Sequence, residues 1–425
     1  MIKFTMSKIK RILKHELIGG ASIIFFGSLA TNFFNFFFNL FMTRNLSESE
    51  YGILASLLSL MTLATLPAGA FIPTLVRFSA SYFAKGEIHL VRGLFVKVTK
   101  LSFFFGGIIF ILSLVFVDEL KEFIKVNDTS LILLASVSIF FGIIQVVNVA
   151  LLQAKLLFSF IAFTNLLSAV LKLALGIALV FMNTGVKGGM SAYFIAGIIP
   201  YGMSFYPLRS IFREKSGKIP IQISKLLTYA APSSLALFSL TSFISTDILL
   251  VKHFFNPLDA GIYATLSLVG RVIFFFSAPI TTVMFPLIVQ KHARDENFHN
   301  IFKLSLLFVF LPSFTLTIFY FLFPDFSLHF FSTKASVSLA APYLGLFGLF
   351  ITAYSLLYVI VNFYLSIKQT QVFIPVVLGA VLQAVLIWFF HDTFLEVILV
   401  SLAITSLLLI LLLLYYLRRY GKKKY

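Results

Sequence analysis

Three charged side chains stand inside long apolar runs: Lys172, Asp247 and Arg271. A charge in such a place costs roughly 2.5–3.5 kcal/mol on insertion scales, so residues of this kind mark a pathway or a partner. Arg271, preceded by Thr265 and Ser267, offers a planar guanidinium that holds a phosphate at two points and keeps its charge near neutrality. Lys172 shares a helical face with Asn165, Ser168, Ala169 and Gly176, a small polar face that suits a cavity better than lipid. Asp247 has two readings. It can accept a coupling proton or sodium ion, since burial raises a carboxyl pKa and a nearby cation lowers it. It can also pair with Arg271 and stitch two helices together.

Neutral polar groups extend the pattern. Ser28, Asn32, Asn35 and Asn39 are spaced four, three and four apart within one apolar run, which puts them on a single helical face that hydrocarbon would not tolerate. Gln145 and Asn148 occur in another run, Tyr354, Tyr358 and Asn362 in a third, and Gln383 in a fourth. Any one of these is accounted for by a hydrogen bond between helices. Together they predict a wet interior, with Arg271, Lys172, Asn32, Asn35, Asn39, Gln145, Asn148, Tyr354 and Tyr358 as candidates to touch a substrate and Asp247 as the candidate for ion coupling.

The elements that must position these groups follow from composition. The chain is 60 % hydrophobic and 12 % charged. Apolar runs of about 20 residues predict membrane-spanning helices, and twelve are expected: about 17–42, 53–76, 98–117, 130–152, 160–182, 189–209, 227–251, 261–289, 304–324, 338–363, 371–391 and 393–416. A membrane barrel would alternate in polarity, whereas Leu101 to Phe116 is apolar on every face. The first apolar segment follows a basic stretch but is long and carries asparagines at its middle, so it reads as a retained helix and not as a cleaved leader. Cysteine is absent, which excludes disulfides and thiolate metal sites.

Net charge is +17, and its distribution argues for topology and against nucleic acid. With the N-terminus inside, the inner segments hold 25 of the 33 Lys and Arg residues, the outer loops hold 6 (Arg44, Lys121, Lys125, Lys187, Lys252, Lys334), and Lys172 and Arg271 make up the rest. This positive-inside bias predicts that both termini are cytoplasmic and that the number of spans is even. The basic clusters also suit anionic membrane lipid.

An internal echo divides the chain. Glu50-Tyr-Gly-Ile-Leu-Ala55 returns as Asp259-Ala-Gly-Ile-Tyr-Ala264, 209 residues on for the Gly-Ile pair, and Pro67 and Pro73 are matched by Pro279 and Pro286 after a small gap. The expected organisation is an N-terminal six-helix half (1–209), a basic cytoplasmic linker (210–225) and a C-terminal six-helix half with a basic tail (226–425). Six is even, so the repeat is parallel and the halves are expected to enclose a central cavity and rock about it.

Leu46-Ser-Glu-Ser-Glu-Tyr-Gly52 after the first helix, its counterpart Asn256-Pro-Leu-Asp-Ala-Gly-Ile-Tyr263, and Asp247 just before it, within twelve helices in two halves, resemble the Wzx-type oligosaccharide flippases. These are the polysaccharide biosynthesis proteins of the multidrug/oligosaccharidyl-lipid/polysaccharide (MOP) exporter superfamily. The resemblance covers nearly the whole chain and implies an all-α, MATE-like fold and no enzymatic activity. It implies movement of undecaprenyl-diphosphate-linked sugar units from the inner to the outer leaflet of a bacterial cytoplasmic membrane, with no cofactor beyond a proton or sodium gradient. Polysaccharide polymerases and glycosyltransferases would be its partners.

A cation-coupled multidrug exporter of the same superfamily is an alternative, though its cationic substrates would favour carboxylates where the first helix has asparagines. A lipid II flippase is another, although that group has two further helices. A polymerase or glycosyltransferase would need a large catalytic outer loop, and Asp118–Ser130 and Pro324–Val337 are short. The seven histidines show no zinc spacing, and Gly185–Gly189 lacks the Gly-Lys-Ser/Thr of a phosphate loop.

Overall fold

The echoed motif is a helix start built twice. Ser47 Oγ accepts from the Glu50 N–H at 3.2 Å while Glu50 Oε2 accepts from the Ser47 N–H at 2.9 Å, a reciprocal capping box. The side chain of Asn256 accepts from the Asp259 N–H at 2.9 Å, with Pro257 in the first turn, where its missing N–H is no loss. Two residues past Glu50 and Asp259 stand Gly52 and Gly261, and there the two helices cross. A Cβ on Gly52 would lie 2.9 Å from the Gly261 nitrogen, and one on Gly261 would fall onto the Glu48 carbonyl. Only glycine on both sides permits so close a crossing.

The computed structural model describes residues 16–69, 71–214, 223–293 and 296–420, and these form helices joined by short turns. The N-half contains α1 (Glu16–Asn45), α2 (Glu48–Gly69), α3 (Ile72–Ala84), α4 (Ile88–Val115), α5 (Val117–Ile124), α6 (Thr129–Ala154), α7 (Phe158–Phe181) and α8 (Gly185–Phe212). The C-half contains α9 (Ile223–Phe243), α10 (Thr246–Phe254), α11 (Pro257–Gly270), α12 (Ser277–Ala293), α13 (His299–Leu322), α14 (Pro324–Phe331), α15 (Ala341–Ser366), α16 (Phe373–Phe389) and α17 (Phe394–Tyr420). The order repeats: the eight-residue α5 between α4 and α6 is matched by the eight-residue α14 between α13 and α15.

Among the described residues nine helices are long and apolar enough to cross a membrane, ten if the pair bent by 44° at residues 244–245 is one span. Twelve crossings are compatible with this, since α1 and α8 are also long helices, of 30 and 28 residues. The basic N-terminus, residues 215–222 of the linker and Lys422 to Lys424 lie outside the described residues.

The breaks differ in kind from those expected. In the N-half Pro67 lies inside α2 and a proline opens α3. In the C-half the break falls earlier than Pro279, as a six-residue 3₁₀ turn, Arg271–Phe276, between α11 and α12. Tighter winding there changes which way successive side chains point, and it begins at the one arginine inside the span.

Hydrogen bonds between the halves cluster at one end of the molecule. Arg44 Nη2 donates to the Phe330 carbonyl at 2.5 Å, Lys125 Nζ to that of Phe255 at 2.7 Å, and Lys334 Nζ to those of Thr43, at 3.2 Å, and Leu46. Ser336 Oγ donates to Glu48, and His253 Nδ1 lies 3.1 Å from the Phe123 carbonyl. At the opposite, basic end the bonds Lys155 to Pro207, Gln369 to Tyr420 and His299 to Tyr416 stay within one half.

Candidate functional site

Inside the N-half, α1, α2, α6, α7 and α8 leave a cavity of about 460 Å³. Lys172 from α7 is its cation, and Thr31, Asn35, Thr65, Gln145 and Asn165 are among its polar walls, with no carboxylate among the described lining residues. The Lys172 ammonium lies 5.0 Å from the ring centre of Phe38 and 5.1 Å from that of Tyr193. Two aromatic faces take the place of water around a charge held away from it. The face read from sequence is real: Asn165, Ser168, Ala169 and Lys172 all line the space, while Gly176 is pressed against Phe38 and Met42.

The asparagine stripe of α1 divides. Asn35 lines the cavity with Thr31. Asn39 Nδ2 turns back to its own helix, donating to the Asn35 carbonyl at 2.9 Å. Asn32 is half-buried and outside the lining. Asn148 is buried and donates to Ser204 Oγ at 2.7 Å, a bond between α6 and α8 that leaves Gln145, one turn earlier, to face the cavity. The chamber that these residues line lies within the N-half.

Arg271, Asp247 and Tyr263 form a second group in the C-half. Arg271 Nη2 lies 3.8 Å from Asp247 Oδ1, and Tyr263 donates to Asp247 Oδ2 at 3.0 Å. Asp247 is fully buried, whereas the arginine side chain is 25 % exposed. The pair is a charge contact and not a hydrogen bond: Arg271 Nε and Nη2 and Asp247 Oδ1 have no hydrogen-bond partner. Tyr51 of the N-half and Tyr354 lie within electrostatic reach of the guanidinium. Tyr354 and Tyr358 meet the ring of Phe274, at 5.2 and 5.1 Å between centres, so both belong to an aromatic layer beside the 3₁₀ turn and neither lines the N-half cavity.

Sequence reasoning missed Tyr193 and Phe38 as the collar of Lys172, and Tyr263 as the hydrogen-bond donor to Asp247. Tyr263 stood in the repeat motif, where it read only as a marker of homology between halves. Lys252, expected in an outer loop, is buried in α10 at 1 % exposure. Among the described residues no group of three or more His, Cys, Asp or Glu is placed to hold a metal ion.

Two similar halves of membrane-length helices, a partly open chamber with one cation and a charge pair whose aspartate is fully buried make up a polytopic helical membrane fold. The family model described as "Polysaccharide biosynthesis protein" matches residues 41–338, and the chain belongs to that family. Its fold is that of solved MOP-superfamily structures. A multidrug resistance MATE family transporter in an inward-facing conformation superposes with TM-score 0.72 at 15 % identity, covering 92 % of this chain and 94 % of that one. The lipid II flippase MurJ, inward closed, gives 0.71 at 17 %, covering 93 % and 87 %. An outward-facing MATE family transporter gives 0.62 at 15 %, covering 96 % and 95 %. No curated protein matches by sequence.

Proposed function

We propose that this protein moves undecaprenyl-diphosphate-linked oligosaccharide from the inner to the outer leaflet of a bacterial cytoplasmic membrane, for surface polysaccharide synthesis. The clamped end faces outward and both termini are cytoplasmic, as the Lys and Arg distribution argues. The observation that carries the reading is the state of Arg271: paired by charge, one quarter exposed, and with Nε and Nη2 free of hydrogen bonds. A guanidinium so held can turn its planar fork to a diphosphate without first breaking a hydrogen bond.

Lys172 adds a second positive site in a chamber lined by hydroxyl and amide groups, suited to the sugars. A cationic drug would call for a carboxylate, and the described lining residues include none. When phosphate takes Arg271, Asp247 loses its counter-charge and becomes the acceptor for a proton or sodium ion, which couples the two events. Polymerase and glycosyltransferase partners would supply and consume the substrate.

The test measures labelled lipid-linked oligosaccharide reaching the outer leaflet, normalised to protein in the membrane. Arg271→Ala is expected to abolish movement, and Arg271→Lys to restore it only in part because the two-point contact is lost. The neutral pair Arg271→Gln with Asp247→Asn separates the roles. Wild-type movement by that pair would reduce Arg271 to a structural partner of Asp247 and overturn the phosphate role.

A further inference from the structure

Lys252 is among the largest fully buried side chains, and its Nζ has no hydrogen-bond partner. It sits in the last turn of α10, five residues beyond Asp247, and Lys125, a like charge from the N-half, lies within electrostatic reach of it. Just after it along the chain come two bonds between the halves, His253 to the Phe123 carbonyl and Lys125 to that of Phe255. Lys125 itself is held in the left-handed backbone region, φ 53°, at the end of α5.

A buried ammonium without a partner is unfavourable, and a second cation across the contact makes it more so. Burial of this kind weakens the clamped state relative to any state in which the ammonium is solvated or neutralised. Among the described residues no carboxylate pairs with Lys252 or Lys125, and nearby Asp118 and Asp128 are engaged with Lys121 and Lys187.

We propose that Lys252 and Lys125 form a phosphate-binding station at the clamped end, closed in this structure and available once α5 and α10 part. The proposal rests on the reading that a diphosphate-bearing substrate leaves at that end. An anion with affinity only for the parted state shifts the equilibrium toward it, so the station both receives the diphosphate and holds the exit open. The chemistry recognised is a phosphate or diphosphate dianion, whether free or at the head of a polyprenyl lipid.

The chain has no cysteine, which makes a single reporter clean. Ala260 is 4 % exposed beside the glycine crossing, so in Ala260→Cys the thiol reacts with a bulky impermeant maleimide only when the clamped end opens. The experiment uses the full chain in nanodiscs. Inorganic diphosphate, and in a parallel arm a short-chain polyprenyl diphosphate, should raise the labelling rate about fivefold or more. Lys252→Met should slow basal labelling and remove the response, Lys252→Arg should keep it, and Lys125→Ser should weaken it.

A response in both arms marks a site for the free anion, and one in the lipid arm alone marks a site for the carrier. No response in either arm, or an unchanged response in Lys252→Met, overturns the station and leaves Lys252 as packing. If Lys252→Met does not fold, an unchanged response in Lys125→Ser overturns it equally. Should oligosaccharide movement be absent while the diphosphate response of Ala260→Cys persists, the station stands and the flippase reading fails.

Discussion

Gly142 in the N-half leaves room for a cavity of about 460 Å³, while the residue at the same place on the matching helix of the C-half is Tyr354, 2 % exposed. The helices are α6 and α15, each of 26 residues, offset by 212 at both ends (Thr129 to Ala341, Ala154 to Ser366). The apolar cores differ in the same sense. In the C-half one continuous cluster runs from Ala236 to Tyr416, whereas the buried apolar residues of the N-half fall into three smaller groups, one of which also takes in Ala264. One plan of helices has thus been filled in one half and hollowed in the other, and the cation of the hollow half faces space where the cation of the filled half faces a carboxylate.

Exchanging filler for space should break that contrast most severely. Tyr354→Gly removes a buried ring from the filled half and is expected to cost about 3–5 kcal/mol, the range for large aromatic truncations, read as a lower unfolding midpoint in detergent. Gly142→Tyr is the converse. A Cβ there already lies 2.9 Å from Thr65 Cγ2, and the ring would occupy the chamber. Substrate movement should be lost with the protein still inserted, and normal movement would show that the chamber is not on the path.

Within the filled half, Tyr263→Phe leaves Asp247 Oδ2 buried without its donor. The expected loss is about 1–3 kcal/mol. The change should be larger than that of Tyr358→Phe, since the hydroxyl of Tyr263 has an identified buried acceptor.

The smallest effect belongs to the surface. Lys187 Nζ lies 2.7 Å from Asp128 Oδ2 with both side chains more than one third exposed, and this contact, with the Ser130 bonds, holds the Asp128 carboxyl below its ordinary value. A lowered folded-state pKa contributes stability above the usual carboxylate range and loses it as pH falls through the lowered value. Asp128→Asn should therefore cost less than about 1 kcal/mol at neutral pH, and the difference from wild type should vanish in acid. A cost unchanged in acid would show that it does not come from the charge of the Asp128 carboxylate.

How far this was legible in the sequence depends on whether the signal was local. The repeat at Ser47–Gly52 and Asn256–Gly261 was visible because capping and close crossing are each decided by a few adjacent residues. Lys172 and its face were visible because helical spacing alone collects Asn165, Ser168 and Ala169. The collar of Phe38 and Tyr193 was not, since phenylalanine occurs 54 times and nothing local separates a ring that meets an ammonium from one that meets lipid. Asn148 and Gln145 lie three residues apart and part company only because Ser204 of α8 stands opposite one of them. The place of the chamber, within one half, depends on which neighbour each small polar face meets, and spacing along one helix carries no information about that.

The glycine crossing sets a mechanical condition on the cycle. Where the two helices touch backbone to backbone, at Gly52 and Gly261, no side chains interlock, so that part of their contact resists little when one helix rolls over the other, while Ala264 and Leu268 pack the rest of it against the N-half core. The joint behaves as a pivot bearing, and the latch is elsewhere, in the bonds that Arg44, Lys125, Lys334 and Ser336 make around it. It follows that the rate of swinging and the balance between end states are set by separate residues. A bulkier residue at Gly261 would seize the bearing, while loss of the Lys334 bonds would only loosen the latch.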